Sequence, residues 1–319
     1  MRLIQFLNTD NKRFVGIVER GKINTLHTVQ TVYDLFFYAE EHLCSIENAA
    51  KQLASGNMEN YSSIAGLKRL LVPLDHPDPY HCWITGTGLT HTGGAASRNA
   101  MHEKMLKETD GDSTDSMKMF RFGLENGKFT AGIPASQPEW FYKGNGLTMV
   151  NPGADLKSPE YGMDGGEEPE IAGLYIINKQ GVPKRIGFAL ANEFSDHKME
   201  QINYLYLAHS KLRSCSFGPE ILLGELPDHI EGESKIIRNN QPVWEKKFLT
   251  GEKNMTHNIA NLEHHHFKYE LFRQPGDVHV HFFGTAVLSY SDGFETKNDD
   301  LFEISADCFE MPLQNRLMV

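Results

Sequence analysis

The sequence predicts an α+β fold rich in β-strands, with a small N-terminal α/β domain over residues 1–76 and a larger domain over residues 77–319. Three observations predict this organisation. Strand and helix patterns alternate near the N-terminus, a proline-rich segment spans residues 72–79, and strand patterns dominate after residue 128. A chain of 319 residues has room for one small and one large domain.

In the N-terminal domain, residues 2–7 and 14–19 have the pattern of short strands, and residues 11–13 are the predicted turn between them. Residues 31–53 predict helix, because apolar side chains recur there at spacings of three and four. These side chains are Val32, Leu35, Phe36, Ala39, Leu43 and Ile46. The prolines of residues 72–79 predict the boundary with the second domain.

The larger domain opens with a buried strand over residues 83–88, which leads into a glycine turn and then a helix over residues 95–107. The polar segment 110–128 is interpreted as a mobile excursion and a candidate lid. One further helix is predicted over residues 255–269. Strands are predicted over residues 139–143, 171–178, 185–194, 220–223, 234–238, 278–283 and 300–304.

Three consecutive histidines, His264, His265 and His266, lie in the predicted helix 255–269. Consecutive helical residues point about 100° apart, so the three side chains are poorly placed to chelate one ion together. We therefore assign them a surface or packing role.

The composition limits the partners of the chain. It has 31 basic and 42 acidic residues and a formal net charge of −11, which argues against nucleic acid or an anionic membrane as a partner. The cysteines Cys44, Cys82, Cys215 and Cys308 form no C-x-x-C pair, so reduced thiols are expected. The N-terminus lacks the pattern of a secretory signal, and no apolar run approaches the roughly 20 residues that cross a bilayer. A cytoplasmic protein is expected.

Three carboxylates and a lysine form the most informative pattern. Glu168 and Glu170 are two residues apart, so a β-strand places both on one face. Glu193 lies at the end of a second strand, on a face of otherwise small residues, and Lys211 follows. Like charges this close repel unless a hard cation binds them, and carboxylate oxygens suit Mg²⁺ or Mn²⁺. The alternative for each acid alone is an ordinary surface residue at a strand end.

The order of these and later motifs resembles the fumarylacetoacetate hydrolase superfamily over roughly residues 80–305. Within it, residues 83–88, 138–143 and 209–215 are most similar to the sugar-acid branch, which includes the 2-keto-3-deoxy-arabinonate and other pentonate dehydratases. The motifs are Glu168-Pro169-Glu170-Ile171, Asn192-Glu193-Phe194-Ser195, Lys211, Phe217-Gly218-Pro219, Pro275-Gly276-Asp277-Val278 and Gly284-Thr285-Ala286.

The resemblance implies a mixed β-sandwich roll, a homodimer and a small 2-keto acid substrate. It also implies Mg²⁺, or Mn²⁺, held by the three glutamates, with Lys211 as the active-site lysine. Gly284 and Thr285 match the segment that holds the carboxylate end of the substrate. Arg98 is a candidate to grip a carboxylate or hydroxyl group of the substrate, with an exposed helix arginine as the alternative.

The chain departs from the pattern of the family in three segments. Glu193 stands where an aspartate is common, and Ser195-Asp196-His197-Lys198 replaces the usual Ser-Ala-Arg-Asp. Gly94 occupies the position of the histidine of the water-activating His–Glu dyad, and His91 stands at that of a tyrosine. The dyad is therefore absent in register.

These features predict a Mg²⁺-dependent dehydratase, a lyase that removes water from 2-keto-3-deoxy sugar acids through an enolate. Lys211 would stabilise the enolate or transfer a proton. His91 would protonate the leaving hydroxyl group, or else be a buried loop histidine bonded to a backbone carbonyl group.

Two alternatives stay open at this point. One is a C–C hydrolase of β-diketo acids, with water activated by His91 or by His102 with Glu103. The other is a metal-stabilised scaffold or sugar-acid sensor without activity, which the altered segment 195–198 favours.

Overall fold

The computed structural model describes residues 1–92 and 115–319. The helices within these ranges are α1 Val32–Glu41, α2 Ile46–Gln52, α3 Tyr61–Gly66, α4 Asp115–Asn126, α5 His197–Ile202, α6 Leu207–Lys211 and α7 Ile259–Phe267. The strands are β1 Arg2–Leu7, β2 Arg13–Glu19, β3 Lys22–Leu26, β4 Ala54–Asn60, β5 Leu70–Leu71, β6 Cys82–Gly88, β7 Glu139–Asn145, β8 Met149–Val150, β9 Asp155–Lys157, β10 Pro169–Ile177, β11 Pro183–Asn192, β12 Cys215–Phe217, β13 Ile221–Leu223, β14 Ile230–Arg238, β15 Gln241–Thr250, β16 Val278–Phe282, β17 Leu301–Ala306 and β18 Leu313–Met318.

The strands form two sheets, so the architecture is the mixed, strand-rich α/β fold that the sequence predicts. The larger sheet has the strand order β4-β3-β2-β1-β13-β11-β10-β16-β6-β7, with β5, β8 and β12 paired beside this path. The smaller sheet has the order β15-β14-β17-β18-β9. Most neighbours are antiparallel, whereas β16 pairs with β6 in parallel.

Two hydrophobic layers hold the larger sheet. On one face, helices α1 and α2 pack against β10, β11 and β16, with Leu35, Ala189 and Val280 fully buried. On the other face, Phe188 and Ile171 meet the smaller sheet and α7 through residues such as Ile304. Because alternate residues of a strand point to opposite faces, β10 and β11 supply side chains to both layers.

In the described ranges, one strand pairing joins the N-terminal strands to the rest of the larger sheet, the antiparallel pairing of β1 with β13. Leu3 lies opposite Ile221 in this register, and both side chains are buried in the same core as α1. The division of the chain at residue 76 stays a prediction.

The helical pattern of residues 31–53 is two helices rather than one. Thr31 begins α1 with a capping box that it shares with Asp34. After α1 the chain turns at Leu43, whose φ is 53°, and Ser45 caps α2. The residues between the helices keep the apolar spacing, so periodicity alone did not locate the break.

Segment 110–128 differs from its interpretation as an excursion, because residues 115–126 form the helix α4. Phe120 of this helix is buried against Leu89. The predicted helix 95–107 lies outside the described residues. Helix α7 begins at Ile259, where Asn258 caps it, so it is shorter than the predicted helix 255–269. None of the helices in the described ranges is long and apolar enough to cross a bilayer.

A cluster of buried histidines lies between α7 and β16. His266 Nε2 is 3.0 Å from His279 Nδ1, and the rings of His266 and His281 stack with centroids 4.5 Å apart. His281 Nδ1 pairs with the hydroxyl group of Thr85 at 2.8 Å. His266 therefore has the packing role assigned from the sequence. Burial lowers the pKa of His279 and His281 to about 3, so both are neutral at neutral pH.

These histidines are expected to lower the free energy of unfolding in mild acid. The unfolded chain takes up protons below its ordinary histidine pKa of about 6.5, whereas the folded cluster stays neutral, so stability falls as the pH drops from 7 to 5. Each of His279 and His281 should cost about 2 kcal/mol over this interval. Denaturant unfolding at both pH values would measure the loss.

The substitution His279→Phe should remove about one histidine's share of this loss, because it keeps an aromatic ring and deletes the titrating group. His229→Gln is the matched control, since His229 is exposed at 46% of its side-chain surface. An equal pH dependence in wild type and His279→Phe would contradict the prediction.

Candidate metal centre

The register of β10 against β11 brings the three predicted glutamates together. Glu170 lies opposite Ala191, and the pairing continues past the strand ends, where the Glu193 N–H donates to the Glu168 carbonyl oxygen at 3.0 Å. Glu168 and Glu193 are therefore opposite each other, just beyond the paired ends of β10 and β11. One carboxylate oxygen from each of the three glutamates lies within 4.8 Å of the others, and all three side chains are buried.

Lys211 lies at the end of the short helix α6 and points its amine into this cluster. Its Nζ is 2.5 Å from Glu168 Oε1 and 2.7 Å from Glu193 Oε2. Glu200 Oε1 of α5, at 3.1 Å, and Ser195 Oγ, at 3.0 Å, are also within reach. The lysine side chain is fully buried, so these contacts are charge-assisted hydrogen bonds in a dry environment.

A second buried lysine, Lys143 of β7, lies on the other side of Glu193. Its Nζ is 2.8 Å from Glu193 Oε1. It also donates to two backbone carbonyl oxygens, that of Phe194 at 2.7 Å and that of Lys211 at 3.0 Å. The two oxygens of Glu193 are thus held by two different ammonium groups.

His197 supports Glu168 from the segment that departs from the family pattern. Its Nε2 is 3.1 Å from Glu168 Oε1, and its Nδ1 is 3.5 Å from Asp164 Oδ2. Burial alone would lower the pKa of this histidine, but the contacts with the two carboxylates raise it to about 10. Gly166 makes room for the ring, because a Cβ at that position would lie 2.4 Å from His197 Nδ1.

Asp196, another of the changed residues of this segment, has a structural role. Its Oδ1 accepts from the Met199 N–H and caps α5. Its Oδ2 is 2.9 Å from the Arg213 guanidinium group. The segment therefore positions both the helix that carries Glu200 and the histidine that contacts Glu168.

Glu170 is the carboxylate whose charge is least compensated. Within the described ranges, its Oε2 accepts a hydrogen bond from the Gly284 N–H at 2.7 Å. Burial, and then the neighbouring carboxylates of Glu193 and Glu168, raise the pKa of Glu170 well above its ordinary value. Gly284 reaches this carboxylate with a φ of +96°, and a Cβ there would lie 2.3 Å from Thr90 Oγ1.

These residues fit a divalent cation. Three buried carboxylates converge, and their oxygens are the hard ligands that Mg²⁺ and Mn²⁺ prefer. A bound cation would relieve the repulsion from Glu193 and Glu168 that helps to raise the pKa of Glu170. Glu167, the preceding residue, does not join the cluster. Its carboxylate accepts from the Ser289 N–H and hydroxyl group at 2.9 and 2.8 Å.

The other predicted site residues have different surroundings. His91 is buried, with Nδ1 3.0 Å from Thr90 Oγ1 and Nε2 2.8 Å from Thr250 Oγ1. Burial lowers the pKa of His91 to about 4, so it is neutral at neutral pH. It is a buried loop histidine, but its partners are threonine hydroxyl groups and not the predicted backbone carbonyl group. The Thr285 hydroxyl group contacts the carbonyl oxygens of Pro169 and Val287. Arg98, Gly94 and the pair His102 and Glu103 lie outside the described residues.

The sequence interpretation missed Lys143, His197 and Glu200 as neighbours of the glutamates. Lys143 carried no usable signal, since the face of its predicted strand holds Glu139 as well as Phe141 and is not apolar. His197 was noted only as a departure from a family motif. Glu200 belongs to a helix too short to have a recognisable period.

Comparison with known proteins was made by sequence and by structure. No family model matches the sequence, and no curated protein matches it either. Among solved structures, the apo form of 2-keto-3-deoxy-D-arabinonate dehydratase has a TM-score of 0.72 and 18% identity over 100% of this chain and 99% of that chain.

The same dehydratase complexed with magnesium and 2,5-dioxopentanoate has a TM-score of 0.71, also at 18% identity and with the same coverage of the two chains. Fumarylacetoacetate hydrolase from the psychrophile Exiguobacterium antarcticum has a TM-score of 0.63 and 14% identity over 100% of this chain and 99% of that chain. The predicted resemblance is therefore confirmed, and the chain has the fold of the fumarylacetoacetate hydrolase superfamily, which it shares with a sugar-acid dehydratase.

Proposed function

We propose that this protein is a Mg²⁺-dependent hydro-lyase that removes water from 2-keto-3-deoxy sugar acids. The observation that carries the proposal is the buried cluster of three glutamates around the amine of Lys211. It is supported by the shared fold with a dehydratase whose structure contains magnesium and 2,5-dioxopentanoate. Glu168, Glu170 and Glu193 would hold Mg²⁺, or Mn²⁺ in its place.

The divalent ion supplies Lewis acidity toward the 2-keto group of the substrate, which acidifies the adjacent C3–H bond. In the overall reaction one C3–H bond and the C4–OH bond break, and H₂O leaves. For a five-carbon acid this leaves an unsaturated ketone with a double bond between C3 and C4. A proton moved from C5 to C3 gives an enol, and transfer of the enol hydroxyl proton to C4 gives the aldehyde. The product is 2,5-dioxopentanoate, the compound found with the similar dehydratase.

Lys211 is the residue that we assign to the charge that develops on the substrate. An ammonium group donates hydrogen bonds, and that of Lys211 already binds carboxylate oxygens of Glu168 and Glu193 at 2.5 and 2.7 Å. A substrate oxyanion in the same place would receive the same donors. The ring of Phe141, 5.2 Å from Nζ, covers the amine on a further side.

His91 has no step in this proposal. Both of its ring nitrogens are paired with threonine hydroxyl groups, and the ring is neutral at neutral pH. Neither ring nitrogen of His91 is therefore free to take a proton from water, and a hydrolase would need another base, such as His102 with Glu103. A homodimer and a cytoplasmic location complete the proposal, with the acidic composition and the resemblance as their support.

A substrate panel tests the proposed reaction. The purified protein would be incubated with 2-keto-3-deoxy pentonates and hexonates and with 2,4-diketo acids, with Mg²⁺ or with EDTA, and the products followed by proton NMR. We expect Mg²⁺-dependent dehydration of a 3-deoxy sugar acid and none with EDTA. Release of pyruvate from a diketo acid would instead establish the hydrolase. Tight binding of 2-keto acids without turnover would establish the sensor.

A further inference from the structure

Two buried lysines bind the same carboxylate, but their contacts differ in kind. Lys143 has no exposed side-chain surface, and its three ammonium hydrogens match three acceptors: Glu193 Oε1 and the backbone oxygens of Phe194 and Lys211. Two of these acceptors belong to the main chain, so the amine is tied to two elements of the fold.

Lys211 binds four side chains by hydrogen bonds or ion pairs. They are the carboxylates of Glu168, Glu193 and Glu200 and the hydroxyl group of Ser195. Two of these groups, the carboxylates of Glu168 and Glu193, would also bind a divalent ion. A cation entering the cluster therefore competes with Lys211 for Glu168 and Glu193, whereas Lys143 keeps its two backbone acceptors.

We propose that Lys143 is a positioning residue, which fixes the Glu193 carboxylate and the end of α6. The ion can then displace Lys211 from Glu193 while Glu193 stays in place as a ligand. The inference rests on the proposed function in one respect, that Glu193 is a ligand of the ion. The two ammonium groups on Glu193 then have opposite effects on ion binding.

The reason for such a residue lies in the length of the glutamate. Glu193 has one more rotatable bond than the aspartate common at this position, so a free side chain would lose more entropy when it binds an ion. The contact of Oε1 with Lys143 at 2.8 Å holds the carboxylate before the ion arrives. Partners that orient a ligand in this way typically change metal affinity by about 10- to 100-fold.

The test compares Lys143→Met with Lys211→Met, because each substitution removes one buried ammonium group from Glu193. Binding of Mn²⁺ alone would be measured by calorimetry and electron paramagnetic resonance, without substrate. We expect Lys143→Met to weaken Mn²⁺ binding by at least about tenfold. Lys211→Met should bind Mn²⁺ as tightly as wild type or more tightly. Wild-type Mn²⁺ affinity in Lys143→Met, or an equal loss in both variants, would overturn the inference.

A second comparison tests the same inference if Lys143→Met does not fold. Removing both partners of a buried ion pair is far less damaging than removing one, so the double variant Lys143→Met, Glu193→Gln can be compared with Glu193→Gln. If Lys143 acts through Glu193, these two proteins should bind Mn²⁺ equally, within about twofold. A further loss of tenfold or more in the double variant would overturn the inference.

Both comparisons use Mn²⁺ without substrate, so they are separate from the reaction. Failure of the substrate panel with normal Mn²⁺ results would count against the dehydratase alone. Normal dehydration with an unaffected Mn²⁺ affinity in Lys143→Met would count against the role of Lys143 alone.

Discussion

Replacing Lys211 by methionine is expected to lower kcat/KM for dehydration of a 2-keto-3-deoxy sugar acid by about a thousandfold. Methionine is of similar length and has no hydrogen-bond donor, so the oxyanion loses its charged partner. Removal of a single donor of this kind typically costs about 100- to 1000-fold in rate, and a fully buried charge belongs at the upper end. Steady-state kinetics with saturating Mg²⁺ would measure the change.

The control for this variant is Lys179→Met. Lys179 is exposed at 64% of its side-chain surface and pairs with Glu41 at 3.2 Å on the protein surface, so its loss should leave kcat/KM unchanged. Circular dichroism in the presence of Mg²⁺ would confirm that Lys211→Met is folded. A folded Lys211→Met protein with more than a tenth of wild-type kcat/KM would contradict the assignment of the oxyanion to this residue.

Replacing Glu170 by glutamine is expected to weaken binding of Mg²⁺ or Mn²⁺ by at least about a hundredfold. Loss of a residue that only orients a metal ligand costs about 10- to 100-fold, and Glu170 would contact the ion itself. The glutamine has the same shape and still accepts the Gly284 N–H, so the backbone around it should not change. Titration with Mn²⁺ would measure the affinity.

The same substitution is expected to stabilise the protein when no ion is bound. The pKa of Glu170 is raised in the folded state, so its contribution to stability is fully present below the unfolded value and is lost as the pH rises through the folded value. Glutamine cannot ionise and avoids this loss. In EDTA at pH 8 the variant should therefore have a higher Tm than wild type, and in excess Mg²⁺ a lower one.

Glu167→Gln is the matched control, because it changes the same residue type three positions earlier on the same buried segment. Its carboxylate binds Ser289 rather than the cluster, so the affinity for Mn²⁺ should remain within about threefold of wild type. The assignment of Glu170 would be wrong if both variants lost affinity equally, or if Glu170→Gln bound Mn²⁺ like wild type.

Much of the fold could be predicted from the sequence, since it depends on local patterns. Strand β10 is nearly all apolar and β11 becomes so after Arg185, and these are the central strands of the larger sheet. The break after α1 could not be predicted, because it depends on a positive φ at Leu43 within an unbroken apolar spacing. Helix α4 was missed because only part of its surface is buried and its composition is polar.

The candidate site divides in the same way. Glu168, Glu170 and Glu193 follow from a period of two residues and one antiparallel pairing, which sequence reasoning can reach. Lys143 cannot be reached in this way, since β7 lies at the edge of the sheet, separated from β11 by three strands in the pairing order. Lys143 reaches Glu193 because the residues that follow β11, including Phe194 and Lys211, lie next to β7 in the folded protein.

The pairing of β1 with β13 has a consequence for any attempt to divide this protein. A chain that began at residue 77 would keep the pairing of β13 with β11 but lose its pairing with β1, and it would uncover the core that Leu3 helps to fill. An unprotected, apolar sheet edge is a template for association with other chains. The strands before residue 76 therefore cover an edge of β13 that would otherwise be exposed, and a fragment meant to keep this site in an intact sheet should include the chain from β1 onward.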